Sequence, residues 1–153
     1  MTRRSMRAER EAGAATRENL GFLLAKASQR WNELLHKRFA AAGYPEVRPS
    51  YGSILLPLFE EDGLRMGELA ARARLSKQTM TTMVRLLERD GLVERRADPS
   101  DGRASLVFLT ERARNFRPVA AATLAELDRR VVTTLTAQGR DKVHDALRRL
   151  ADL

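Results

Sequence analysis

From Arg17 to Ala42 apolar residues recur at three- and four-residue intervals: Leu20, Leu23, Leu24, Ala27, Trp31, Leu34, Leu35 and Phe39. That spacing predicts one long amphipathic helix, and on a small protein such a helix packs on a partner helix. Gly43 stops it. Pro45 and Pro49 bracket an extended link, and Pro49 can open a second helix carrying Tyr51, Ile54, Leu55, Leu58 and Phe59. Pro57 removes a helical hydrogen bond, which predicts a bend or an early end. "EEDG" reads as a turn. Two short helices follow, Met66 to Ala73 and Ser76 to Asp90, the second with Ser76 as its N-cap and Gly91 as its stop. The alternating runs "LVERRA" and "ASLVFL" around "DPSDGR" then read as a two-stranded hairpin. Thr110 caps a long helix through Phe116, Leu124, Leu127 and Val131, with Pro118 a kink. A last helix follows Thr136 and buries Val143, Ala146, Leu147 and Leu150. The chain is mainly α with one small β-hairpin.

Charge sharpens this outline. The 153 residues carry a formal net charge of +8, mostly from Arg. Such a balance points first to nucleic acid and second to an anionic membrane surface. Arg suits forked contacts to phosphate and guanine, but a GC-rich genome gives the same bias. The chain has no Cys, hence no disulfide, thiol sensor or thiolate metal site. No apolar run is long enough to span a bilayer, and the start "MTRRSMRAERE" lacks the apolar stretch of a signal peptide. Residues 1–15 read as a disordered basic tail, and the protein as soluble and cytoplasmic.

Two short helices joined by a tight turn and followed by a charged hairpin make a winged helix-turn-helix. In "LSKQTMTTMVRLLERDG", Met80, Met83, Val84 and Leu87 form one buried stripe. Lys77, Gln78, Thr81, Thr82 and Arg85 are left on the opposite face, beside Ser76 and Thr79 in the first turn. Those side chains can donate hydrogen bonds and none is acidic, which suits phosphate and base edges in a major groove. Glu88 and Asp90 come later, away from that contact. In the hairpin, Arg103 is a cation at the far shoulder of the loop. Asp98 and Asp101 can accept hydrogen bonds from Arg103 or from the wing backbone, while Pro99 and Gly102 shape the turn.

The run "MGELAARARLSKQTMTTMVRLLERDGLVERRADPSDGRASLVFLTERA" resembles the MarR family of bacterial transcription regulators, most specifically in "LSKQT", "LERDGLVER" and the Asp-rich wing ending in Arg103. The resemblance spans residues 16–153, with a winged helix-turn-helix over about 47–110 and dimerisation helices over about 17–43 and 111–153. It implies a homodimer that presents two recognition helices to a pseudo-palindromic site in double-stranded DNA, with Arg103 entering the minor groove. It also implies release by a small aromatic or lipophilic anion bound between the dimerisation and DNA-binding parts. Two positions depart from the family pattern: Thr82 stands where an Arg is common, and Arg85 where an acid is common. Pro57 is unusual in the second helix.

Enzyme readings find no support. His36 and His144 lie in opposite terminal helices, and there is no spacing for a hydrolytic triad, a phosphate loop or paired catalytic carboxylates. No cofactor or metal is expected; His36 and Glu33 share a helical face as ordinary surface polarity. A ligand cleft between the first helix and the winged domain would be lined by Trp31, Tyr51 and Met66 with His36 nearby, and by Phe39, Phe59, Arg30 or Arg48. The expected function is a ligand-responsive repressor. The alternatives are a winged-helix protein-interaction module and a non-specific chromosome-packaging protein.

Overall fold

A computed structural model describes residues 2–153. Six helices and three short strands follow one another: α1 (Arg3–Gly13), α2 (Leu20–Ala41), α3 (Gly52–Glu60), β1 (Leu64–Arg65), α4 (Met66–Ala73), α5 (Lys77–Arg89), β2 (Val93–Asp98), β3 (Asp101–Leu109) and α6 (Glu111–Leu150). A 3-10 turn at Pro49–Tyr51 leads into α3. The fold is a winged helix-turn-helix flanked by long terminal helices.

Local chemistry sets the boundaries. Asn19 caps α2 by accepting the Gly21 and Phe22 N–H groups at 2.9 and 3.3 Å, and Gly43 ends it with φ of 93°. Thr110 caps α6 and also donates its hydroxyl to the Gly91 carbonyl at 2.7 Å, tying the close of α5 to the start of α6. Pro57 does not shorten its helix: α3 runs three residues further to Glu60, and the Glu61 N–H bonds the Pro57 carbonyl at 2.9 Å. The two closing helices form one element interrupted at Thr136, whose backbone (φ 70°, ψ 165°) is non-helical. The Thr136 hydroxyl then accepts the Gly139 N–H at 3.2 Å, capping the second half.

Two elements differ from the sequence expectation. The basic start, expected as a disordered tail, is helical over Arg3–Gly13. Its Arg, Glu, Ala and Met residues are good helix formers, and Arg7 pairs with Glu11 one turn on at 2.7 Å. The hairpin also gains a third strand. β1 pairs antiparallel with β3 (Leu64 opposite Val107, Arg65 opposite Leu106), so the sheet order is β1-β3-β2.

The core sits where α3, α4, α5, the sheet and the first half of α6 meet. Ile54, Leu69, Met80, Val84, Leu87, Leu92, Val107 and Ala113 are fully buried there. α2 packs on α6 outside this unit, joined by Leu35 and Phe39, with the Phe39 ring edge-on to Phe116 at 4.8 Å.

The turn before β1 is the tightest point of the sheet. Asp62 Oδ1 accepts the N–H of both Gly63 and Leu109 at 3.0 and 2.9 Å. Gly63 has φ of 70°, and a Cβ there would meet two Phe108 ring carbons at 2.7 and 2.9 Å. Gly63→Ala is therefore expected to destabilise the protein by about 1–3 kcal/mol, read as a lower denaturant midpoint with an unchanged slope.

Candidate nucleic-acid interface

α5 is held rigid by its buried side. Met80, Val84 and Leu87 have no exposed surface, and Met83 is partly buried beside them. Ser76 Oγ accepts the Thr79 N–H at 3.1 Å and donates to the Thr79 hydroxyl at 2.9 Å, fixing the first turn. The turn from α4 is closed by Arg74 in the left-handed conformation (φ 53°, ψ 42°). Its guanidinium reaches the far end of α6, donating to the Ala151 carbonyl and to Asp152, each at 2.5 Å.

On the opposite side Lys77, Gln78, Thr82 and Arg85 are exposed and Thr81 is half-buried. The threonines are not the free donors the sequence suggested. The Thr81 hydroxyl donates to the Lys77 carbonyl at 2.9 Å and that of Thr82 to the Gln78 carbonyl at 3.1 Å. A hydroxyl has a single hydrogen, so both offer a partner only acceptor lone pairs and a methyl group. Lys77, Gln78 and Arg85 have no intramolecular side-chain partner among the described residues. The two later acids are occupied inside the fold: Arg95 of β2 lies 2.8 Å from Glu88, and Asp90 accepts the Tyr51 hydroxyl at 2.5 Å.

The wing is tighter than the quoted loop implied. Asp98 and Asp101 face each other across a two-residue turn at Pro99 and Ser100, with a register shift between Ala97 and Asp98. Asp98, only 7% exposed, accepts the N–H and hydroxyl of Ser100 at 2.9 and 2.7 Å. Its other oxygen takes Arg65 of β1 at 2.6 Å, not Arg103. Asp101 accepts the backbone N–H of Arg103 at 3.0 Å. The Arg103 guanidinium is exposed and unpaired among the described residues. The wing carboxylates thus shape the backbone that carries the arginine rather than holding the arginine. Arg96, in contrast, is engaged, stacked 4.4 Å from the Phe108 ring and paired with Glu94.

The candidate ligand residues separate. A cavity of about 300 Å³ lies between α2, α3 and α6, lined among others by Trp31, Phe39, Phe59 and Leu124. Arg48 is the one charged side chain lining it. Tyr51 does not line this cavity; it is 1% exposed in the core, with its hydroxyl on Asp90. Burial first, and then the Asp90 hydrogen bond, push the Tyr51 phenol up, while the same bond holds the Asp90 carboxyl below its ordinary range. His36 is exposed on the outer face of α2, and Met66 sits beside Arg65 and Arg103 at the foot of the wing.

Residues 49–105 match the model of the MarR family. An HTH-type transcriptional repressor of Mycobacterium tuberculosis is 40% identical over 80 residues, covering 52% of this chain and 58% of that protein. An HTH-type transcriptional regulator of Methylorubrum extorquens is 34% identical over 100 residues, 60% of this chain and 51% of that one. The chain is similar to the MarR family over its winged helix-turn-helix. It spans between 51% and 58% of the length of these curated relatives. Two solved structures extend the likeness over most of the chain. The PcaV transcriptional regulator of Streptomyces coelicolor, solved with its natural ligand, has a TM-score of 0.74 at 26% identity, covering 88% of this chain and 93% of that one. The transcriptional repressor CouR, bound to a 23-mer DNA duplex, has a TM-score of 0.73 at 28% identity, covering 86% and 92%.

Sequence reasoning missed Arg65 as the partner of Asp98, because the pair spans 33 positions and β1 has no periodicity to announce it. The backbone and hydroxyl of Ser100, followed by Arg65, hold the Asp98 carboxyl below its ordinary value near 3.9. A lowered carboxylate supports the folded wing above the unfolded value and loses that support as pH falls through the lowered one. The Ser100 amide resonance is expected to stay constant through pH 5 and to shift only below the ordinary Asp range, and Asp98→Asn should abolish the transition.

Proposed function

We propose that the chain is a sequence-specific DNA-binding transcription regulator, acting as a homodimer on a pseudo-palindromic operator and released by a small aromatic anion. The observation that carries this reading is the α5 face, where Lys77, Gln78 and Arg85 stand unpaired around a rigid helix N-terminus, with a free Arg103 on the adjoining wing. α5 and the wing expose no large apolar side chain. That argues against a protein-interaction module, which would need one. The regulators of known structure with this fold include one bound to a DNA duplex and one bound to its natural ligand.

Dimerisation is supported by what the terminal helices leave uncovered. Leu20, Leu23 and Leu24 of α2 are exposed, as are Leu135, Val143 and Leu147 of α6. Leu24, Val143 and Leu147 line one groove between the two helices, and an exposed apolar patch of this kind marks an interface. No described helix is long and apolar enough to cross a membrane. We place the protein's work in the cytoplasm, with repression by occupancy of the operator, and assign it no catalytic role.

Roles divide by chemistry. Gln78 reads base edges, Lys77 and Arg85 meet phosphate or guanine, and Thr81 and Thr82 accept hydrogen bonds or pack on a thymine methyl. Ser76 and Thr79 set the helix N-terminus against the backbone. Gln78→Ala should cost about 1–3 kcal/mol of discrimination between operator and mutated operator. Lys77→Ala should weaken all DNA alike and reduce the salt slope by about 1. Arg103→Ala should lose most affinity where the flanks are A·T-rich, since a narrow groove supplies the attraction. Asp98→Ala and Arg65→Ala should give smaller, parallel losses. Unchanged binding of operator and random duplexes by Gln78→Ala would overturn the assignment of the helix.

The ligand reading centres on the cavity at Trp31 and Arg48, with Phe39 and Phe59, rather than on Tyr51, Met66 or His36. An apolar, aromatic-lined space with one cation suits a small aromatic carboxylate. A panel of benzoates and phenols, titrated with and without operator and followed by Trp31 fluorescence, should show reciprocal weakening of about 5- to 150-fold. Arg48→Ala should abolish it for carboxylates. An acid that binds with the same Kd in the presence of operator is not the effector.

A further inference from the structure

The 3-10 turn at Pro49–Tyr51 faces two ways. Toward α2 and α6, Arg48, Pro49 and Gly52 line the cavity. Toward the winged unit, the Tyr51 ring runs through the core and its hydroxyl donates to Asp90 Oδ2 at 2.5 Å. Asp90 is the residue that closes α5. One stiff turn therefore touches both the cavity and the end of the recognition helix. It is stiff because Pro49 fixes its own φ and the Tyr51 N–H is bonded to the Arg48 carbonyl at 2.9 Å. A displacement at Arg48 or Pro49 is passed on to Tyr51 rather than absorbed.

Asp90 is also an odd residue for its position. A carboxylate at a helix C-terminus faces the negative end of the helix dipole. Here it is offset by the Tyr51 hydroxyl and by Arg89, 3.2 Å from its other oxygen. Arg48, the cation of the cavity, also favours the charged form of Asp90. The acid is poorly suited as a cap and well suited as an acceptor for Tyr51.

We propose that Tyr51 is a positioning residue whose hydrogen bond to Asp90 couples the packing of the cavity to the seating of α5, so that filling the cavity re-aims the recognition face. The DNA readout of this link rests on the function proposed above; the link itself does not. A buried polar staple with no coupling role would stabilise the fold equally whether the cavity is full or empty.

The test fills the cavity from another element. Leu124→Trp introduces an indole from α6, and Asn32→Phe does so from α2 should the first variant fail to fold. Two quantities are measured: affinity for an operator selected by the parent from random duplexes, and hydrogen exchange across Lys77–Arg89. In the parent, Leu124→Trp should weaken operator binding by about 5-fold or more, the low end of ordinary coupling, and speed exchange in α5. In a Tyr51→Phe background it should change both by less than about two-fold, the usual error of additivity. Asp90→Ala should break the link as Tyr51→Phe does, while Asp90→Asn, which keeps an acceptor oxygen, should restore it. That second pair carries the comparison if Tyr51→Phe does not fold. Equal changes in both backgrounds overturn the proposal, as does an α5 whose exchange in the parent ignores the filled cavity. If no operator is selected, the DNA-binding reading fails, and the exchange result still decides the link.

Discussion

The burial of Met80, Val84 and Leu87, none with any exposed surface, fixes nearly everything else about the site. Each such side chain contributes about 1.5–3 kcal/mol when taken from water, and the stripe they form allows α5 a single rotation about its axis. The opposite face is thereby turned to solvent as a set. The same core continues through Leu92, Val93, Val107 and Leu109 into the base of the wing, so helix and hairpin form one body. The Thr110 N–H on the Leu92 carbonyl at 3.1 Å and its hydroxyl on Gly91 close that body where strand, helix and α6 meet. Stability comes from one side of α5, which frees the other side for chemistry that folding does not need.

Within a chain of net charge +8, composition says only that many cations exist; pairing says which are available. Arg38 is bidentate to Glu126 at 2.7 and 3.0 Å and joins α2 to α6. Arg112 pairs with Glu46 beneath Tyr44, and Arg140 spans to Asp128 at 2.6 Å. These arginines tie α6 to α2, to the loop after α2 and across its own break at Thr136. Lys77, Arg85 and Arg103 have no partner among the described residues; cations such as Lys37, Arg129 and Arg149 have none either, but these three sit together on α5 and the adjoining wing.

What the sequence made legible follows the range of the interactions. Helix starts at Thr110 and Ser76, the stop at Gly43, the break at Thr136 and the stripe on α5 all rest on neighbours within a turn, and each stands where its local chemistry put it. Long-range partners were not legible. β1 has two residues and exists only because Val107 and Leu106 lie opposite. The acceptor role of Asp98 could be read from the turn, but its partner Arg65 could not. Back-bonding of the threonine hydroxyls to carbonyls four residues earlier is a choice of rotamer, which a pattern does not record. An aromatic at helical spacing, such as Tyr51, shows that it is buried but not against what.

The chain divides into a winged unit whose core is satisfied and terminal helices whose apolar faces are not. The polar ties between them are few and specific. Thr136, a β-branched residue at φ of 70°, accepts a backbone conformation costing about 1–3 kcal/mol so that α6 can change direction there. Beyond that bend, Val143 and Leu147 come round beside Leu24 and Trp31 of α2, with Arg140 bridging to Asp128. The far end of α6 then returns to the winged unit, where Arg74 in the helix-turn-helix turn grips Ala151 and Asp152. The terminal helices therefore reach the recognition helix at both of its ends: through Arg74 before its N-cap, and along the cavity, Arg48 and Tyr51 at its C-cap. A helix held at both ends by contacts with a second body cannot move relative to that body without breaking one of them. Relative motion of the two bodies therefore has to pass through those contacts and through the packing of Leu35 and Phe39 against Phe116.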